Sequence, residues 1–261
     1  METKSQQLAA EHERMSGELE AARQIQLSML PREMIKHPYL DLNVFMQTAT
    51  EIGGDYYDFH VADDGTFTFV FGDATGHGAR AGAMVAASKI LFSDYAASSD
   101  IVDFLTKALH PLRQMKIPQL FMAMAIGKIY GHHLEIAGAG LPPALIYKSD
   151  SCKIERIALK GIPLGGFGSG NFKKREINLH PGDSMILMTD GFPELFDSEK
   201  EIIGYYRPVS IFRQVGEQSP EKIIQHFKEY ADSWTNGHSQ EDDTTFLEIK
   251  TKQPDMNSID R

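Results

Sequence analysis

A chain of 261 residues, 42% of them apolar, can bury one large domain, or one domain and an appendage. The formal charge of -10 argues against a sequence-independent nucleic-acid binder, which needs a basic stripe to neutralise phosphates, and it means that any cluster of acids requires cations. Cys152 is the single cysteine, which excludes an intrachain disulfide and a cysteine metal cage; the natural reading is a reducing, cytoplasmic compartment, with a longer membrane-tethered parent chain left open.

Residues 2–30 contain no proline, one glycine and many strong helix formers, and Pro31 ends the run. Leu8, Met15, Ala22 and Met29 recur at heptad spacing, with Leu19 and Ile25 beside them. This is a weak coiled-coil seam, because Ala22 is small and His12 and Gln26 interrupt it. The spacing predicts a helical arm over 1–31 that serves as a linker, a homodimer contact or a solvated amphipathic helix. Beyond it the texture turns β-rich: 40–49, 66–71, 120–130, 134–137, 144–148, 153–159, 184–188 and 245–249 read as strands separated by turn residues. Helices are predicted where Ala81, Met84, Val85, Leu91, Phe92 and Tyr95 share a face. The same pattern marks Ile101, Leu105, Ala108, Leu109 and Leu112, and then Ile223, Ile224, Phe227, Tyr230, Ala231 and Trp234. Strands grouped as hairpins, with helices between the groups, predict an α+β domain over 32–250 built on antiparallel sheets. A polar, frayed tail is expected over 251–261.

Aspartates recur where the strands end. Asp55 follows a Gly-Gly pair in EIGGDYYDF, Asp73 sits in FGDATGHG, Asp190 and Gly191 end MILMTDG, and Asp242 and Asp243 open the last strand. Each motif alone is an ordinary turn or cap. Together they resemble a sheet scaffold that holds short carboxylates around one point, with glycines admitting main-chain carbonyls as further oxygen ligands. Such an oxygen-only set selects Mg²⁺ or Mn²⁺, and two such ions suit hydrolysis at phosphorus. No Gly-x-Ser-x-Gly elbow, His-Glu-x-x-His or Walker-type loop competes with it.

GGDYYDF, FGDATGHG, GAGLPPALIY, GIPLGGF, HPGDSMILMTDGFPELFD and EDDTTFLEI together resemble the bacterial SpoIIE/RsbU-type serine/threonine phosphatases, a branch of the metal-dependent PPM (type 2C) superfamily. The resemblance covers residues 40–250, and ELEAARQIQLSMLP is similar to the helix that joins such domains to sensor modules. It implies an αββα sandwich with a two-ion Mn²⁺ or Mg²⁺ site at one edge between the sheets, and one-step hydrolysis of phosphoserine or phosphothreonine. By position, it implies that Asp73 bridges the ions, the Ala74 carbonyl contacts one, Asp190 and Asp242 hold the second, and Asp55 serves the first. Asp243 would support the ligands from behind. His77 is left as a phosphate contact, an acid or a turn residue. The implied partner is a phosphorylated STAS-domain anti-sigma-factor antagonist in a bacterial stress-response or developmental switch. An upstream sensor or activator would act through the N-terminal helix. Two other readings stay open: a non-catalytic interaction module of the same fold, and a two-metal phosphoesterase for small molecules. The chain departs from its relatives at Leu141, where they commonly carry histidine, and it has no Arg or Lys between Leu40 and Asp58.

Overall fold

The computed structural model describes residues 2–95, 100–238 and 240–253. Ten strands form two antiparallel sheets of five. The first orders β1 (Leu40–Gln47), β10 (Thr244–Thr251), β9 (Ser184–Met188), β6 (Ala144–Lys148) and β7 (Lys153–Ile157). The second orders β2 (Asp55–Val61), β3 (Phe67–Ala74), β4 (Met122–Tyr130), β5 (His133–Ala139) and β8 (Arg175–Asn178). Helices α2 (Ala79–Tyr95) and α3 (Ile101–Gln114) cover the second sheet, and α4 (Arg207–Val215) and α5 (Pro220–Thr235) cover the first. This is the expected αββα sandwich.

Strand alternation assigns the faces. Leu40, Leu42, Leu187, Leu247 and Ile249 of one sheet belong to the same buried cluster as Phe67, Phe69, Phe71, Ile129 and Ile136 of the other. The opposite face of the first sheet turns Leu145, Tyr147, Ile186 and Phe246 toward Phe212, Ile223 and Phe227 of α4 and α5. Local chemistry sets the helix limits. Asp100 caps α3 by accepting from Val102 N (2.8 Å) and Asp103 N (3.3 Å). Asn236 ends α5 in the left-handed conformation, at φ 48°.

Three elements depart from the sequence reading. Helix α4 and strand β8 were not anticipated, the first being short and the second four polar-flanked residues at a sheet edge. Strand β10 continues through Thr251, which is buried and donates from Oγ1 to the Asp183 carbonyl (3.0 Å). Of the expected tail, residues 254–261 lie outside the described residues. The arm is helical as predicted, with α1 spanning Glu2–Met29. Its seam is bare: Leu8 is 60% exposed and Met15 54%. Only the last turns meet the domain, through Ala22, Gln26, Met29 and Leu30.

Glu248, on β10 across from Ile186 of β9, is fully buried. Ser184 and Lys250 favour its charged form, but the Ser184 hydroxyl donates to the Gly216 carbonyl (2.8 Å), and neither carboxyl oxygen has a hydrogen-bond partner. Burial therefore holds this carboxyl well above the ordinary glutamate range. The unfolded chain ionises it near pH 4.5 and the folded chain keeps it neutral, so folding takes up a proton and stability falls as pH rises above that point. Glu248→Gln, which needs no proton, is expected to stabilise the protein more at pH 8 than at pH 5. Denaturant melts of both proteins at the two pH values check this.

Candidate active site

The acidic residues come together at one end of the sandwich. Asp55 opens β2 and Asp73 lies directly across from it on β3, so both carboxylates leave the second sheet on the face turned toward the first. Asp55 is buried and reaches across: its Oδ2 accepts from Thr245 Oγ1 (2.5 Å) and Thr189 Oγ1 (3.1 Å). Both threonines belong to the other sheet's side, Thr189 directly after β9 and Thr245 on β10. Asp190 follows Thr189, and Asp242 precedes β10. Each acid is thereby held by the end of a strand, not by a free loop.

These acids lie within reach of one another's charge. Burial and the charges of Asp55, Asp190 and Asp242 push the Asp73 carboxyl up to about 10. Asp55 is raised well above the usual carboxylate range, first by burial and then by Asp243 and Asp242, against the opposing pull of its threonine bonds. Asp242 is raised by burial and by Asp190, with His77 pulling the other way. Farther out, Glu194 and Tyr205 feel the same field, and Tyr205 is pushed up to about 12 by burial and by Glu194. Asp55 Oδ1 and Asp190 Oδ1 are buried without a hydrogen-bond partner. Orphaned carboxylate oxygens in a field this negative fit the donor set of a hard dication. Among the described residues, no three acidic, His or Cys side chains close on a single point. An ion here would therefore complete its shell with main-chain carbonyls and water, as Mg²⁺ commonly does.

The glycines have specific reasons. Gly76 and Gly78 sit at φ 74° and 83°, so the chain after Asp73 turns in the left-handed region that favours glycine. A Cβ on Gly54 would stand 2.5 Å from the Ala74 carbonyl oxygen and 2.7 Å from that of Gly76. One on Gly191 would stand 1.9 Å from the Asp243 carbonyl oxygen. Gly191 is therefore required by the close passage of β10 and is not itself a ligand side chain. His77 is exposed at the rim.

Asp243 adds its charge to this field, raising Asp55 and Asp242, but both its oxygens are taken by main-chain donors. Its Oδ1 accepts from Ala49 N (2.7 Å) and its Oδ2 from Gly54 N (2.5 Å). It fixes the loop before Asp55. Gln26, which sequence reasoning treated only as a break in the seam, joins that loop too: it donates to the Gly53 carbonyl (2.6 Å) and accepts from Gly53 N (3.1 Å). Neither role has a sequence signal beyond the Gly-Gly pair. Beside Asp242 and Gly191 opens a cleft of about 640 Å³ bordered by Glu194, Phe196, Lys200 and His238.

Two facing antiparallel sheets with helices outside, and acids gathered at their shared end, define the class of type 2C phosphatase folds. The structure aligns with the SiaA-PP2C domain of Pseudomonas aeruginosa at a TM-score of 0.81, with 20% identity, over 93% of this chain and 99% of that one. It aligns with RsbX in complex with magnesium at 0.65, with 16% identity, over 84% and 99%. The chain belongs to the SpoIIE family: the family model of Stage II sporulation protein E matches residues 63–252. Phosphoserine phosphatase RsbU of Bacillus subtilis (strain 168) is 23% identical over 192 residues, covering 72% of this chain and 57% of RsbU. The chain thus spans a little over half the length of that relative.

Asp243→Asn tests the support of the loop. An amide can accept at one position only and sets an N–H against a backbone N–H at the other. A loss of about 1–3 kcal/mol of stability is expected. At roughly 2–4 °C per kcal/mol for a domain of this size, thermal melts of the two proteins resolve it.

Proposed function

We propose that this chain is a Mn²⁺- or Mg²⁺-dependent phosphoserine/phosphothreonine protein phosphatase. The observation that carries the reading is the field at Asp73: four aspartates from four strand ends lie within reach of one another's charge, and Asp55 and Asp190 each keep a buried oxygen without a partner. By the family resemblance Asp73 would serve both ions, Asp55 and the Ala74 carbonyl the first, and Asp190 and Asp242 the second. Since no three acidic side chains close on one point among the described residues, part of that set would act through water. Bound there, the ions supply an activated water and neutralise the charge that develops at phosphorus. The chain's own part is orientation. Thr189 and Thr245 fix one oxygen of Asp55, and Asp243 holds the loop that precedes it. The cleft beside Asp242 would receive the polypeptide that carries the phosphate, with Lys200 and His238 at its edge.

The proposed substrate is a phosphorylated STAS-domain anti-sigma-factor antagonist, which the family and its phosphoserine phosphatase relative support. The exposed seam of α1 would pair with a second copy and receive an upstream sensor. No described helix is long and apolar enough to cross a membrane.

Incubation with phosphorylated STAS-domain proteins and Mn²⁺ is expected to release orthophosphate, and chelator to stop it reversibly. The chelated protein is expected to melt lower, since bound ions stabilise only the folded state. Asp73→Asn should fold and yet lose at least about a thousandfold in kcat, because several kcal/mol of barrier lowering depends on the ions and each 1.36 kcal/mol is tenfold. Phosphate release against nucleotides and small phosphoesters, measured in parallel, checks the substrate class. Turnover by the folded Asp73→Asn protein close to the parent's would overturn the two-ion assignment.

A further inference from the structure

We propose that Gln26, on the last turn of α1, is a positioning residue for the acidic site: it sets the peptide of Gly53 and, through it, the place of Asp55. The inference rests on the two-ion phosphatase reading above and adds a residue that lies outside the acidic set. Every α1 residue from Gln6 to Ala21 is exposed, and Gln26 is buried. Its side-chain amide closes a ring with a single residue, and so with two successive peptide groups, donating to the Gly53 carbonyl (2.6 Å) and accepting from Gly53 N (3.1 Å). Only a group that is donor and acceptor at once can close that ring; a carboxylate offers no donor and an apolar side chain neither. Among the described residues, no other side chain of α1 hydrogen-bonds to the domain; the remaining bonds stay within the helix.

The residue it holds lies at a junction. Ile52 accepts at its carbonyl from Gly78 N (2.8 Å). Gly54 donates to Asp243 Oδ2 (2.5 Å) and accepts at its carbonyl from Ala74 N (3.0 Å). Three successive peptides therefore tie α1, the Asp73 turn and Asp243 together, immediately before Asp55. Gly53 has no slack in this arrangement, since a Cβ there would lie 2.6 Å from Asp243 Oδ2 and 2.7 Å from Thr48 Cγ2. Packing holds the end of the arm, since Leu30 lies in the main core. Beside Gln26, however, opens a cleft of about 470 Å³ bordered by Arg23, Leu27, Met46 and Tyr57. At this point the amide, with its two directional bonds, adds the register of helix against loop that packing leaves open.

The test uses the whole chain with Gln26→Met, which keeps length and bulk but makes neither bond, and Gln26→Glu, which keeps only the acceptor. Gln24→Met, on the exposed face, is the control. Groups bonded directly to metal ligands change affinity or activity by roughly 10–100-fold, and Gln26, which acts through the Gly53 backbone, is expected at the lower end. Both Gln26 variants are expected to bind Mn²⁺ at least about tenfold more weakly, read by titration without substrate, and to lose a similar factor in kcat with KM for phosphoprotein unchanged. Amide hydrogen exchange over 52–55 and 74–78 is expected to quicken in both variants and not in the control. Parent-like Mn²⁺ affinity and parent-like exchange in folded Gln26→Met would overturn the inference while leaving the phosphatase reading intact. A parent that hydrolyses no phosphoprotein would sink that reading, and the exchange comparison would still decide whether Gln26 positions the loop.

Discussion

Like-charge repulsion at the shared end of the two sheets is the constraint around which this fold is arranged. Asp55, Asp73, Asp190 and Asp242 are brought together where water cannot fully screen them, and the consequence is a carboxyl at Asp73 pushed up to about 10. Such a cluster opposes folding, so the stability must come from elsewhere. It comes from one buried layer between the sheets, continuous with α2 and α3, and from a second under α4 and α5. Placing each acid on a strand terminus lets those layers hold the carboxylates against their mutual repulsion. A loop would let them swing apart.

The second consequence is a demand on backbone hydrogen bonds. The segment before Asp55 has to run close to the Asp73 turn, and its peptide groups still need partners. They find them in Gln26, Asp243, Ala74 and Gly78. Side chains at Gly53, Gly54 or Gly191 would fall on Asp243, on the carbonyls of Ala74 and Gly76, or on the Asp243 backbone. The glycines are therefore set by strand-to-strand approach as much as by turn geometry.

Much of this was legible in the sequence because periodicity and strand ends are local signals. The strands 144–148 and 184–188 were bounded as they stand, and Asp55, Asp73, Asp190 and Asp242 stood out by position. What stayed hidden depends on contacts distant in the chain. Strand β8 is a short edge strand whose only ladder partner is β5, and nothing in Arg-Glu-Ile-Asn announces it. Helix α4 differs: Pro208, Ile211, Phe212 and Val215 fall at helical spacing with proline in the first turn, a local signal that its short length makes weak. The role of Asp243 follows from Ala49 and Gly54, far back in the sequence, and that of Gln26 from Gly53. A glutamine in a heptad seam looks like a flaw until its partner is known.

The departures from the family pattern bear on how phosphate would be held. Leu141, the position at which the resemblance implies a histidine, is buried in the main core, so here it packs. The nearby cations are committed elsewhere: Lys89 pairs with Asp58 (2.6 Å), and Arg80 donates to the Pro118 carbonyl. Lys200 and His238 line the same cleft as Glu194 and Glu241. A phosphate dianion approaching four aspartates would meet net repulsion from the protein alone. Of the groups the proposed reaction requires, only the dications can reverse that sign, because the chain places its acids at the centre and its bases at the margin. For the phosphatase chemistry proposed above, charge balance thus gives the dications a role that the chain's own bases do not fill.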